Sequence, residues 1–173
     1  MERVLIIGSN GAGKSTFSYA LAEKTNLPLT HLDQLYWRNN WEMAPREEFL
    51  SLVSAEAQKP RWIIEGNNIR SLAERLKYAD TVFWFEFSPA RCVWNVLKRV
   101  AKYHGRVRPD MPDQCVCRLD LTFLKEVQTF NRKNHDRIAK ILGETNGVQV
   151  IRFTDHQQVE AYLQMFDKGE NYE

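Results

Sequence analysis

Gly8-Ser9-Asn10-Gly11-Ala12-Gly13-Lys14-Ser15-Thr16 follows the apolar run Arg3-Val4-Leu5-Ile6-Ile7 and opens a segment of helical character. The spacing is G-x-x-x-x-G-K-[ST], in the strand–loop–helix setting that gives this pattern its meaning as a phosphate cradle. Glycines at 8, 11 and 13 let the backbone curl so that successive N–H groups point at phosphate oxygens, which side chains there would hinder. The helix that begins at Lys14 adds the positive end of its dipole. Lys14 is expected to reach the β- and γ-phosphates, and the Ser15 hydroxyl to ligate Mg²⁺. The stretch 8–16 is therefore expected to bind ATP.

Working outward, a chain of 173 residues suffices for one domain with a substantial core, and residues 1–173 are read as one domain. Hydrophobic residues make up 43% and charged residues 27%, ordinary values for a soluble globular protein. No apolar run approaches the ~20 residues that span a bilayer. The first strand starts almost at once, which leaves no room for a signal peptide. Cys92, Cys115 and Cys117 are odd in number and carry no secreted disulfide pattern, so a cytoplasmic protein with reduced thiols is expected. The formal net charge is +2, yet residues 91–140 hold twelve Lys/Arg against five Asp/Glu. That excess suits the phosphates of a small ligand or of a nucleic acid.

Short apolar segments at 4–7, 29–32, 62–65, 81–87 and 148–153 read as strands. Helical patterns fill 14–24, 46–58, 69–78, 89–103, 121–142 and 155–165. This alternation implies an α/β fold, a parallel sheet with helices on both faces. The segment 104–118 interrupts it. Rich in Arg, Pro, Asp and Gly and without an apolar period, it reads as a mobile lid over the sheet edge. The tail 168–173 reads as frayed.

Several stretches together resemble one family: the phosphate loop, HLDQLYWRNNW at 31–41, WIIEGN at 62–67 followed by Arg75 and Ala79-Asp80, and the basic helix with its Arg-rich insert. The chain is similar to the topology-modulation (FlaR-related) proteins, which are adenylate-kinase-like P-loop proteins. That resemblance spans nearly the whole chain. It implies a five-stranded parallel sheet in the order 2-3-1-4-5, a lid, and an acceptor region between the first two strands after the loop. Adenylate kinases carry Asp-Gly-Phe-Pro-Arg after the third strand, where this chain has Glu65-Gly66-Asn67-Asn68-Ile69-Arg70. Their threonine–glycine and leucine–arginine pairs have no counterpart between Asp33 and Gln58, which argues against a nucleoside monophosphate as acceptor.

Glu65 ends an apolar strand, where a carboxylate is needed to hold Mg²⁺ directly or through water. Glu86 is the weaker rival. Asp33 is placed at the end of the second strand, on the ligand side of an open α/β sheet, to bind or deprotonate an acceptor hydroxyl; its rival reading is a helix cap. Trp37 and Trp41 offer an aromatic wall, with Arg38 to meet a charge and Arg70 near the same region. Trp62, Trp84 and Trp94 fall on strand or helix periods and read as core. Arg99, Arg106 and Arg108 are expected to neutralise the transferring phosphoryl group, with Arg132 and Arg137 weaker candidates. Cys115-Val116-Cys117 does not supply the four ligands of a structural zinc site.

Two functions compete. The first is an ATP- and Mg²⁺-dependent phosphotransferase acting on a small acceptor, either a nucleotide or a metabolite hydroxyl. The second is a nucleotide-dependent protein that influences DNA topology through DNA or a partner. The absence of a helix-turn-helix or other DNA-reading motif ranks it lower.

Overall fold

The computed structural model describes residues 1–167, and the expectation for the tail at 168–173 lies outside the described residues. Strand β1 (Arg3–Gly8) runs through the centre of the sheet and leads into helix α1 (Lys14–Thr25). Strand β2 (Leu29–His31) and the short helix α2 (Leu32–Tyr36) follow. A small antiparallel hairpin, β3 (Trp37–Arg38) and β4 (Glu42–Met43), precedes α3 (Arg46–Ala57). Next come β5 (Trp62–Glu65), a 3₁₀ turn at Ile69–Ser71, α4 (Leu72–Leu76) and β6 (Thr81–Phe85). Helices α5 (Pro89–Tyr103) and α6 (Leu121–Gly143), strand β7 (Gln149–Phe153) and α7 (His156–Asp167) complete the described chain.

The main sheet is parallel, in the order β2-β5-β1-β6-β7. Counted without the hairpin strands this is 2-3-1-4-5, as the resemblance implied. A central parallel strand is covered on both faces, so its sequence can be apolar throughout. In β1 the side chains divide by the period of two: Val4 and Ile6 pack with Phe17, Phe83, Phe153 and Tyr162, while Leu5 and Ile7 pack with Phe49, Val53, Ile64 and Ile138. One face therefore carries α1, α5 and α7, the other α3, α4 and the end of α6.

The glycines of the loop between β1 and α1 answer a constraint of the fold itself. Gly8 (φ +133°) and Gly11 (φ +82°) hold left-handed backbone, and a Cβ on either would come within 2.3 Å of a carbonyl oxygen, that of Phe85 or Cys92. The protein's own backbone, before any ligand, excludes side chains there.

Several boundaries differ from expectation. Strand β2 stops at His31, so Asp33 lies in the first turn of α2 and not at a strand end. The strand expected to reach 87 stops at Phe85, and the helix expected over 69–78 divides into a 3₁₀ turn and the short α4. The β3–β4 hairpin has no apolar alternation to announce it. Trp62 and Trp84 are buried, but Trp94 is 58% exposed with Lys98 lying over its ring, because its position on α5 faces away from the sheet.

Residues 104–118 are held at several points. Val107 pairs antiparallel with Val116, and backbone hydrogen bonds join Gly105 N to Cys117 O (3.0 Å) and Cys117 N to Arg106 O (2.8 Å). The tip reaches α2 and the hairpin: Gln34 donates to Pro109 O, Asn40 to Gln114 Oε1, Trp41 Nε1 to Val116 O and Cys115 Sγ to Arg38 O.

Candidate functional site

The carboxyl ends of β1, β2 and β5 converge beneath the phosphate loop. Lys14, buried at the start of α1, donates from Nζ to Ser9 O at 3.1 Å and lies 3.7 Å from Glu65 Oε1. Ser15 Oγ lies 3.2 Å from Glu65 Oε2. His31, at the end of β2, meets the same oxygen through Nδ1 at 2.8 Å. Strands β2 and β5 pair His31 with Glu65 in register, which sets this contact. Burial works against the charge on Glu65, but the hydrogen bond from His31, the Lys14 ammonium and the Ser15 hydroxyl outweigh it. The Glu65 carboxyl is held below the usual glutamate range, so it is an anion at neutral pH. Accepting from His31 as an anion, it fixes the proton on Nδ1 and leaves the buried Nε2 without a partner among the described residues.

Asp33 keeps a partly open face toward the ligand space, although protein surrounds it closely. Burial, and next the charge of Glu65, raise its carboxyl above the usual aspartate range, against the opposing pull of Lys14 and Arg108. Arg99 is lowered by burial and by neighbouring Arg108 to about 10, so it stays cationic at neutral pH. Its guanidinium lies over the Phe123 ring at 5.9 Å, and its Nε is buried without a partner among the described residues. Arg108, buried in the loop, reaches Asp110 at 3.3 Å, and Asp110 in turn accepts from Ser15 Oγ at 3.3 Å.

Two cavities meet here. One, of about 300 Å³, is lined by the phosphate loop together with Thr16, Asn95, Asp110 and His156. The other, of about 550 Å³, opens toward the hairpin and α6, past Tyr36, Trp37, Trp41, Phe49 and Phe123. Asn10, Lys14, Asp33, Glu65, Arg99 and Arg108 line both. Of the residues singled out by sequence, Lys14, Ser15, Asp33, Glu65, Arg99, Arg108, Trp37 and Trp41 are thus brought together.

The others are not. Arg106 is exposed and lines neither cavity, whereas Arg108 is buried and lines both. Arg38 pairs with Glu48 at 2.5 Å on the surface, and Arg70 is exposed; neither lines a cavity. Arg132 and Arg137 are exposed on α6, also outside both. Glu86 faces His135 (2.9 Å) and Arg152 (3.7 Å) away from the phosphate loop. Within the loop itself, Ser9 and Ala12 are buried supports, with Ala12 N bonded to Ser9 O.

Four contributors escaped the sequence reading. His31 sits two residues before Asp33, and only the register of β2 on β5 brings it to Glu65. Asp110 follows Arg108 by two and was read as generic loop polarity. Asn67 accepts from Gly8 N at 2.9 Å, and Asn95 donates to Gly11 O at 2.8 Å, so both brace the phosphate loop from outside it. The run Glu65-Gly66-Asn67 was the available signal for Asn67.

Solved structures share this architecture over nearly their full length. A sugar kinase from Janibacter sp. matches with a TM-score of 0.56 at 15% identity, over 98% of this chain and 96% of that one. A shikimate kinase from Bacteroides thetaiotaomicron matches with a TM-score of 0.54 at 16% identity, over 96% of each. The fold is that of the P-loop kinases. No family model matches the chain. No curated protein matches it either. Among the described residues, no helix is long and apolar enough to cross a membrane.

Proposed function

We propose that this protein is a phosphotransferase that moves the γ-phosphoryl group of ATP to a hydroxyl of a small acceptor, with Mg²⁺. The observation that carries this reading is the seam between the cavities. A phosphoryl group passing from the smaller to the larger would meet Lys14, Arg99 and Arg108 as cations and Asp33 as a proton acceptor.

The donor set fits a hard divalent ion. Ser15 supplies a hydroxyl oxygen and Glu65 an anionic carboxylate, and these two would hold Mg²⁺ directly or through water. Bound there, the ion supplies charge neutralisation to the phosphate oxygens. Lys14 exchanges its hydrogen bond with Ser9 O for one with a phosphate oxygen. Arg99 and Arg108 meet the negative charge that spreads over the transferring group. The acceptor oxygen forms a bond to the γ-phosphorus as the bond to the bridging oxygen breaks, and Asp33 takes the hydroxyl proton. A carboxyl raised above its usual range lies closer to the working pH, which suits a general base. The segment 104–118 acts as a lid, delivering Arg108 to the seam.

The test is ATP consumption over a panel of nucleosides, nucleoside monophosphates and hydroxylated metabolites, with product identified by mass. ADP release that depends on an acceptor, with one phosphoryl group added to it, is expected. ADP release at the same rate with and without every acceptor, or no ATP binding, overturns the reading.

A further inference from the structure

The larger cavity describes its occupant. We infer that the acceptor is an uncharged molecule with a flat aromatic or heteroaromatic body and a free hydroxyl, without a phosphate or carboxylate of its own. The inference rests on the phosphotransferase reading and names the substrate class for the same site.

Charge comes first. Two arginines of the cavity, half-buried Arg99 and buried Arg108, also line the smaller cavity and stand at the seam, where the triphosphate claims them. Beyond the seam the cationic lining is Arg118, exposed on the loop, while Asp120 and Glu126 add two carboxylates on α6 and its cap. Asp33 stands at the inner end. A second anion in this cavity would face more negative than positive charge. Arg38 and Arg70, the guanidiniums that could have gripped an anionic acceptor, lie outside it.

Shape comes second. Phe49, Tyr36, Trp37 and Trp41 form a chain of edge-to-face rings, with centroids 5.3, 4.9 and 5.5 Å apart in that order, and all four line the cavity. Trp41 is the unusual member. Its backbone lies in the left-handed region at φ +64°, next to Asn40 at φ +59°. A bulky residue there is an outlier that persists only where its surroundings hold it. Here the hold is the indole N–H, which donates to Val116 O of the loop at 3.2 Å. Core packing alone would be met by an unstrained residue, and Trp41 is not in the core. The strain keeps a ring in the cavity wall and ties that ring to the loop that closes over it. A π surface of this kind favours a planar partner, because aromatic platforms stack with any flat ring.

The experiment measures binding by calorimetry and transfer by coupled ADP release for adenosine, thymidine and 2-phenylethanol. Their comparators are the two nucleoside 5′-monophosphates, gluconate and shikimate. ATP binding is measured separately. Binding and phosphorylation of at least one uncharged aromatic alcohol, in preference to every anionic compound, is the expected result. Trp41→Ala should then weaken its KM roughly 5- to 150-fold, the worth of one stacking platform, with ATP affinity unchanged. Trp41→Phe, which keeps the ring and loses the bond to Val116 O, should restore most of the KM but not kcat. Preference for an anionic compound overturns the inference and leaves the phosphotransferase reading intact. Binding of the aromatic compounds without any transfer supports the cavity reading and overturns the reaction. If none of the aromatic compounds binds while ATP does, the inference fails.

Discussion

Replacing Asp33 by Asn separates a catalytic carboxylate from a structural one, because the two predict opposite changes in stability. In the structure Asp33 caps no helix: the cap position of α2 is His31. Its carboxyl is raised, by burial first and then by the like charge of Glu65, so the ionised form is strained in the folded protein. A group with a raised folded pKa holds more protons folded than unfolded across the interval between its two values. Stability therefore falls as pH rises through that interval and stays lowered above it. Asn removes the charge and keeps the shape. Each unit by which the carboxyl is raised corresponds to about 1.4 kcal/mol regained at neutral pH, or roughly 2–4 °C in Tm per kcal/mol for a chain of this size. Phosphoryl transfer should fall by roughly 10²–10⁴, the worth of one positioned general base, while ATP affinity stays as it was. The assay is calorimetric melting of both proteins from pH 4 to 8, beside acceptor-dependent ADP release. The two melting curves should converge at acid pH and separate above it, with the variant higher. A variant that melts lower at neutral pH and transfers at the wild-type rate refutes the reasoning.

Three further perturbations follow from the same geometry. Lys14→Ala should weaken ATP binding by roughly 10- to 100-fold, the worth of a charge-assisted hydrogen bond, and nearly abolish transfer; an isotherm and a turnover assay check both. Arg108→Ala should lower kcat by about 10³ or more with a smaller change in ATP affinity, whereas exposed Arg106→Ala should change each by less than about threefold, and steady-state kinetics with direct binding separates them. Arg75 is fully buried, donates to Asn68 O at 2.9 Å, and leaves Nε and Nη1 without partners among the described residues. Burial lowers it to about 9, still cationic at neutral pH. Arg75→Met, which fills the space without a buried charge, should hold or raise Tm. Arg75→Ala should lower stability by roughly 2–5 kcal/mol through the cavity it leaves, as denaturant melts would report.

How far the sequence disclosed this site depends on whether its information was local. Gly8 to Thr16 is a contiguous motif whose spacing is itself the geometry, and the apolar strands flanking it fix where it sits. Glu65 was legible because an apolar strand ending in a carboxylate is uncommon, and the parallel order then placed it beside Lys14. Asp33 was legible as a site residue but misplaced by one element, since nothing between His31 and Leu32 announces the change from strand to helix. The loop arginines were legible as a class and not individually. Arg106 is exposed and Arg108 buried, a difference set by how residues 104–118 fold back on themselves and onto the rest of the chain, which no local pattern encodes. His31, Asp110 and Asn67 act across 34 to 95 positions of chain, through contacts no local pattern encodes.

The loop at 104–118 closes the site by holding both of its lips at once. Asp110 rests on Ser15 at the phosphate loop, while Gln114 and the Val116 carbonyl are held from the hairpin and the Pro109 carbonyl from α2. The same loop therefore contributes to the walls of both cavities. If the protein is the phosphotransferase proposed above, a displacement of this loop would open both binding places together. Asp110 lies 3.3 Å from Arg108 on the wall of the smaller cavity, so on the proposed function a nucleotide's phosphates would compete with this carboxylate for the guanidinium. A carboxylate of the protein's own would then set how readily the loop lets go.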